Sequence, residues 1–526
     1  MVKPASQSNG QPNGQSALAS AADVQPAQAA QSARQSSLPA APASMPPSPR
    51  SWHAFATPAI GKAVRWAARL TRHGGSAFPG KVIERIDPGF LRRTLSRLPL
   101  GVVLVSGTNG KTTTTRMVAS MLSDMGLHVF TNPTGSNFTR GVVSALLNEV
   151  TLSGALDADI AVLELDEAYA VHFVHQMQPR HALLLNVMRD QLDRFGEIDN
   201  TARLLGTVAQ ATTGCVVLNR EDPRISALAE LVPQGVSTTF FGLNPALRHY
   251  FPTDDDMATT FDAQSAGAPV TVDVDTIDSG SYADAIDADV TLESFGVQHA
   301  SFGLDGAVHE TDVQLEGVYN LYNAAAALAV VRAVQRDAQA ALLDPATFRR
   351  MERLGSDGFH MRLTRFAEAG IDAQLDALAA VTPAFGRGER IEVNGSVVEL
   401  LLVKNPMGFR LSLASFPPDD AATMIVINDE YADGRDMSWL WDVDFTSLRE
   451  QGVAMVSGVR AWDMALRLDY DNVPHAAVDP DIDTALPKFL QDPAPVKHIY
   501  CTYTSMLAVR SRLADFTSVS DAGVGR

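Results

Sequence analysis

The sequence predicts an α/β chain with two parallel-sheet domains in tandem, the first built around a P-loop. Three observations carry this. Short apolar runs alternate with helical segments over residues 101–245 and again over 381–515, the pattern of a parallel sheet wrapped by helices. The first run ends in a glycine-rich loop, SGTNGKTTTTR at 106–116, that opens a helix. The chain has 526 residues, 46% hydrophobic and 19% charged, enough for about three domains with buried cores.

Composition excludes several classes. Two cysteines, Cys215 and Cys501, rule out a disulfide scaffold and a four-thiolate zinc or iron–sulfur site. A formal charge of −18 argues against nucleic acid as a partner. No apolar run is long enough to cross a bilayer, and the N-terminus lacks a charged-then-apolar leader, so a cytoplasmic setting is expected.

The elements follow in order. Residues 1–50 are rich in Ala, Pro, Ser and Gln and carry a net +2; with few large apolar side chains they are expected to be a disordered tail. Residues 51–98 form a basic amphipathic segment. Lys62, Arg65, Arg69 and Arg72 lie on one side of a helix, Ile60, Val64, Ala67 and Leu70 on the other, with Trp52 and Trp66 near the edge. Residues 51–100 hold nine basic and two acidic residues, leaving −27 for everything beyond. Two readings stay open: a docking helix with a solvated basic face, or a helix resting on anionic headgroups, which would add a peripheral position at the inner face of the plasma membrane.

Residues 99–335 form the nucleotide domain. GVVLVSG is a buried strand. Residues 112–126 are a helix with Met117, Met121 and Leu122 inward and Gly126 as its stop. HVFTN, IAVLELD, HALLLNV and GCVVLNR repeat the strand signal. Residues 251–300 carry eleven acidic side chains and no Lys or Arg, which reads as a surface insertion. EGVYNLYNAAAALAVVRAV (316–334) begins a long Ala-rich helix. Residues 336–380 read as a linker or insertion, 381–515 as the second α/β domain, and 516–526 as a tail.

The chemistry gathers at strand ends. In the glycine loop, Gly107, Thr108, Asn109, Gly110, Lys111, Thr112 and Thr113 offer backbone N–H groups at a helix N-terminus, a cradle for phosphate. Lys111 supplies a mobile charge for the β- and γ-phosphates of ATP, and the Thr112 hydroxyl is placed to ligate Mg²⁺. Val105 stands where the strict motif has glycine. Glu164, at the end of IAVLELD, is the expected second Mg²⁺ ligand, with Asp166 and Glu167 close by; strand-end capping is the plainer reading. Asn186, Arg189, Asp190, Gln191, Asp193 and Arg194 cluster after a third strand, as a ligand crevice or a solvated loop. Asn320 and Asn323 share a helix face and could bond a purine or ribose, or cap the helix. Asp429, Asp433, Asp436, Asp442 and Asp444 surround Trp439 and Trp441 in a segment without histidine. A site or an interface fits there, but no self-contained Ser/Cys–His–Asp triad.

GTNGKTTTTR, TNPTGSNFTRG, LELDEA, NVMRDQLDRFGE and GVYNLYNAAAA resemble the central ATPase domain of the Mur ligases. FGRGERI, LLLVKNPMGF, NDEYADGRDMSWLWDVDF, SGVRAWDMALRL and PGKVIERIDPGFL resemble its MurT-type branch. The resemblance implies a Mur ligase-like P-loop domain followed by a MurT-type C-terminal domain. It implies a subunit that uses ATP to amidate the D-glutamate α-carboxylate of lipid II, with ammonia from a GatD-type glutaminase partner. Arg387, in FGRGERI, joins the implied ATP site. An aspartate of the C-terminal domain, Asp436 with Asp433 and Asp442 as runners-up, is implied to complete the partner's Cys–His pair. Many relatives carry a four-cysteine zinc ribbon where this chain has its acidic segment, so no structural zinc is expected. Gln191 stands where other Mur ligases have histidine. The alternatives are a stand-alone amino-acid ligase of the Mur or folylpolyglutamate type, and an ATP-binding scaffold.

Overall fold

Val102–Ser106 (β1) is buried along its whole length, as a strand covered on both faces must be. It lies inside a nine-stranded sheet of order β2-β3-β1-β4-β5-β6-β7-β8-β9, formed with Val129–Thr131 (β2), Ile160–Glu164 (β3), His181–Leu184 (β4), Cys215–Asn219 (β5), Ser237–Leu243 (β6), Val290–Gly296 (β7), His299–Leu304 (β8) and Ala307–Asp312 (β9). The pairs from β2 to β7 are parallel, and β7–β8 and β8–β9 are antiparallel. This computed structural model describes residues 53–70, 78–132, 137–188, 198–250, 286–296, 299–314, 318–382, 387–430 and 433–517. The expected tails, most of the acidic segment and Arg189–Arg194 lie outside those residues. The end of the acidic segment, from Val290, is not a detached loop: it extends the sheet.

Period-two alternation assigns the β1 side chains to opposite faces. Val103 and Val105 join one core, and Val102 and Leu104 join the other. On the first face lie Lys111–Asp124 (α4) and a helix apolar all round, Val318–Leu343. Its run Ala324–Ala329 is wholly buried, since a helix with no polar stripe finds its minimum inside a core. The helix runs well past the expected 334 and leads into Pro345–Leu354, Phe359–Glu368 and Ile371–Ala379. The stretch read as a linker or insertion is therefore helical and packed. Leu363, Phe366 and Leu378 enter the same core as Met117. Its charged outer faces lower the average hydrophobicity and conceal the sparse inward positions.

On the second face, Thr139–Glu149 (α5) carries two N-terminal helices, His53–Leu70 (α1) and Phe78–Ile86 (α2). Glycines let them approach closely: a Cβ on Gly80 would strike the Arg140 carbonyl, and one on Gly61 would strike Leu147.

The C-terminal domain is a six-stranded sheet of order β10-β11-β15-β12-β13-β14. Its strands are Arg387–Val393 (β10), Ser396–Leu402 (β11), Ala421–Val426 (β12), Met455–Ser457 (β13), Val478–Asp479 (β14) and Val496–Cys501 (β15). Only β10–β11 is antiparallel. Helices Pro406–Ser415, Ala461–Tyr470, Ile482–Phe489 and Tyr503–Leu513 complete it. The sequence-predicted α/β class holds for both domains.

Candidate active site

The glycine loop turns from β1 into α4 through backbone that L-residues avoid. Gly110 is left-handed at φ 84° and caps the helix. A Cβ there would meet Asn323 Oδ1 at 2.5 Å. Asn186, at the end of β4, holds the loop in shape: its Oδ1 accepts from Asn109 N at 2.8 Å and its carbonyl accepts from Thr108 N at 2.9 Å. Its amide donates to Asn109 O and to the Tyr319 hydroxyl, both at 3.2 Å. Of the third strand-end cluster, Asn186 is the described member, and its work is to brace the loop.

Lys111 folds back on the cradle. Its Nζ donates to Gly107 O at 2.5 Å and Thr108 O at 3.2 Å, and lies 3.6 Å from Glu167 Oε2. Burial opposes ionisation of Glu167, but the ammonium groups of Lys111 and Lys404 outweigh it and hold the carboxyl below its usual range. Thr112 Oγ1 donates to Glu164 Oε1 at 2.9 Å. Asn132 clamps the Glu164 backbone, accepting from its N–H at 2.9 Å and donating to its carbonyl at 3.0 Å. These two hard oxygens from neighbouring strand ends fit a divalent cation such as Mg²⁺. Glycine cradle, lysine and helix N-terminus fit a triphosphate.

The C-terminal domain closes the other side. Lys404 Nζ donates to Thr108 O at 3.0 Å. Asn405 donates to Asn109 Oδ1 at 2.9 Å while its own Oδ1 caps Pro406–Ser415 by accepting from Gly408 N at 2.8 Å. A cleft of roughly 750 Å³ opens beside this contact, lined by Asn109, Thr113, Tyr319, Asn320, Asn323 and Lys404 among others. The structure thus gathers Gly107 to Thr113, Glu164, Asn320 and Asn323 around one site. Arg387 begins β10, opposite Leu401; its side chain lies outside what is described.

Lys404, Asn405, Asn132 and Tyr319 were not singled out from sequence. The Lys-Asn-Pro run was a usable signal, because Asn before Pro marks a helix N-cap.

The acidic segment after β12 separates its aspartates by environment. Asp433 is buried and bracketed: Thr504 donates from N at 2.7 Å and Oγ1 at 2.5 Å, and Glu430 N donates at 3.0 Å. Asp442 is half-buried, with Arg410 donating to its backbone carbonyl. Asp436 is exposed, its Oδ1 accepting only the Ser438 N–H at 2.9 Å among the bonds described. That hydrogen bond holds its carboxyl below the usual range. None of the three lines the cleft.

Beside this segment runs an apolar stripe. Trp462, Leu466 and Tyr470 recur every fourth residue on Ala461–Tyr470 and are 66%, 50% and 69% exposed. Trp441 packs edge-on against Tyr470 at 5.1 Å, linking the stripe to the acidic loop. Buried Met464 and Leu468 fill the opposite face. A helix apolar on two faces has one face to give to another molecule.

Two family profiles match the chain: the Mur ligase middle domain over residues 105–254 and the MurT ligase C-terminal domain over 402–506. The subunit MurT of lipid II isoglutaminyl synthase (glutamine-hydrolyzing) from Streptococcus pneumoniae is 29% identical over 85% of this chain and 94% of its own length. The protein of that name from Staphylococcus aureus is 27% identical over 80% of this chain and 87% of its own. Among solved structures, MurF from Acinetobacter baumannii aligns over 83% of this chain and 80% of its own, with a TM-score of 0.57 and 17% identity. MurF from Thermotoga maritima in complex with ADP covers 83% and 84%, with a TM-score of 0.54 and 16% identity, a likeness of fold. With both domain profiles matched in order and MurT subunits similar along most of their length, the chain is a ligase of the Mur family, in its MurT branch.

Proposed function

We propose that the chain is the ATP-using subunit of a lipid II isoglutaminyl synthase in peptidoglycan synthesis. It amidates the α-carboxylate of the D-glutamate in lipid II to D-isoglutamine, with ammonia from a GatD-type glutaminase subunit. The observation that carries this reading is the reach of Lys404 and Asn405 onto the P-loop: the domain peculiar to the MurT branch is joined to the nucleotide site. The relatives' name supplies the substrate and the word subunit.

The residues can do this chemistry. A carboxylate is a poor electrophile, because neither oxygen leaves. Transfer of the γ-phosphoryl of ATP to one oxygen makes an acyl phosphate; ammonia then attacks the acyl carbon, the C–O bond breaks, and phosphate departs. Lys111 and the N–H groups opening α4 would orient the triphosphate and spread its charge. Thr112 and Glu164 would hold Mg²⁺, which offsets charge on the phosphates. Asn320 and Asn323 would position the nucleoside. Lys404 would make the cradle complete only when the domains are closed.

Ammonia must come from elsewhere. We read Asp436 as the carboxylate that orients the partner's catalytic imidazole, since Asp433 is committed to Thr504 and Glu430. The stripe of Trp462, Leu466 and Tyr470 is the docking surface beside it. ATP and glutamine place the reaction in the cytoplasm.

The test is the purified chain mixed with a glutaminase subunit, lipid II, ATP and glutamine. Amidated lipid II is expected, and Lys111→Ala should lower its rate by at least about a thousandfold. Undiminished turnover in that variant would remove the P-loop from the reaction. Product formed only on adding a free amino acid would favour a stand-alone ligase.

A further inference from the structure

We propose that the outer face of α1 and α2 is a membrane-contact surface that rests on an anionic lipid bilayer. The two helices lie side by side on α5, and their inward positions are used up: Thr57, Pro58 and Gly61 of α1 and Pro79, Gly80 and Ile83 of α2 are buried. What faces away is of two kinds. Trp66, Phe78 and Ile86 are large apolar side chains left 68%, 49% and 40% exposed. Lys81 and Arg85 are exposed, and Lys62 is half-exposed.

The charge of this layer is one-sided for a structural reason. Residues 51–100 contain two carboxylates, Glu84 and Asp87. Glu84 accepts from Arg140 Nε at 3.0 Å. Asp87 is buried, accepts from Thr57 Oγ1 at 2.6 Å and pairs with Arg93. Both negative charges are therefore consumed holding the layer together, and the outward field is positive. The rest of the chain is strongly acidic, so an anionic sheet repels every other face and selects this one. Tryptophan and phenylalanine among basic side chains are what a headgroup boundary accepts: the rings enter the interface while the cations stay with lipid phosphates. Among the described residues no helix is long and apolar enough to cross a membrane, so contact here means resting on the surface. The surface needs neither nucleotide nor partner, so its test is separate from that of amidation.

The experiment is co-sedimentation of the full chain with vesicles of phosphatidylcholine, alone or mixed equally with phosphatidylglycerol, at low and high salt. Binding is expected to the mixed vesicles only, weakening as salt rises. Lys81→Glu with Arg85→Glu should weaken it at least about 30-fold, taking roughly 1 kcal/mol for each basic residue. Trp66→Ser should weaken it several-fold at any salt. Because these side chains are exposed, unchanged thermal unfolding of the variants is the control for folding. Equal binding to both vesicle types, no binding at low salt, or binding untouched by the double reversal would overturn the proposal. So would preference for a single-stranded RNA oligonucleotide that displaces the vesicles.

Discussion

Asn405 donates its side-chain amide to Asn109 Oδ1 at 2.9 Å, bridging 296 residues of sequence to close the tip of the P-loop. The same Asn405 caps Pro406–Ser415, so one side chain both starts a helix and reads the loop. Two substitutions separate these tasks. Asn405→Ser keeps a capping oxygen but cannot reach Asn109; Asn405→Ala loses both. Both should weaken binding of a non-hydrolysable ATP analogue about five- to tenfold, the worth of one buried hydrogen bond. Only the alanine variant should also lose about 1 kcal/mol of stability. Titration calorimetry and thermal melting read the two effects, and wild-type affinity in Asn405→Ser would show that the contact does nothing for nucleotide.

Asp433 and Asp436 stand three residues apart in opposite circumstances, one bracketed and one exposed. Asp436→Asn should abolish glutamine-dependent amidation, by about a hundredfold or more, while sparing most ammonia-dependent amidation. Asp433→Ala leaves the Thr504 and Glu430 donors without their acceptor. It should cost about 1–3 kcal/mol of stability and lower both activities together. Assays with glutamine and with ammonium salts distinguish them; parallel loss in Asp436→Asn would take that residue out of the glutaminase role.

The Trp462–Leu466–Tyr470 stripe makes a prediction about assembly. Truncating Trp462 or Tyr470 to alanine should weaken association with the glutaminase subunit by about 10- to 100-fold each. Nucleotide binding by the isolated chain should stay as it is, because neither residue lines the cleft. Analytical ultracentrifugation of the mixed subunits reads the first quantity. An undiminished complex in the double variant would move the docking surface elsewhere.

What was legible in the sequence was what repeats locally. β1, β3, β4 and β5 are runs of apolar residues that must be buried on both faces, and the glycine loop announces its own backbone. What stayed hidden depends on partners distant in sequence. Phe359–Glu368 reads as polar because Leu363 and Phe366 are separated by charged residues, yet those two side chains sit in the central core. Asn405 reads only as a helix cap until Asn109 is placed beside it. Asp433 and Asp436 have the same chemistry on paper, and only Thr504, folded back from after β15, tells them apart.

The last prediction concerns the far end of the sheet, where Asp337 binds Arg180 Nε at 2.6 Å and lies 3.2 Å from the buried His181 Nε2. Burial works against the Asp337 carboxylate, but hydrogen bonds from His181 and Arg180 outweigh it and hold the carboxyl far below its usual range. Burial likewise works against a charged His181, and the Asp337 hydrogen bond overcomes it, raising the imidazole above its ordinary value. A depressed carboxyl stabilises the fold above its unfolded pKa of about 4, and this is lost as pH falls through the folded value. A raised imidazole stabilises below about 6.5, and this is lost as pH rises through its folded value. The two contributions overlap between about pH 4 and 6.5. Asp337→Asn removes both, so its melting temperature should fall furthest below wild type near pH 5–6, by about 2–4 °C for each kcal/mol lost. The gap should narrow towards acid as Asp337 takes its proton. It should narrow in part towards alkali, where His181 is neutral but Arg180 still pairs. A gap that does not vary with pH in melting curves taken across this range would mean that Asp337 acts through packing alone.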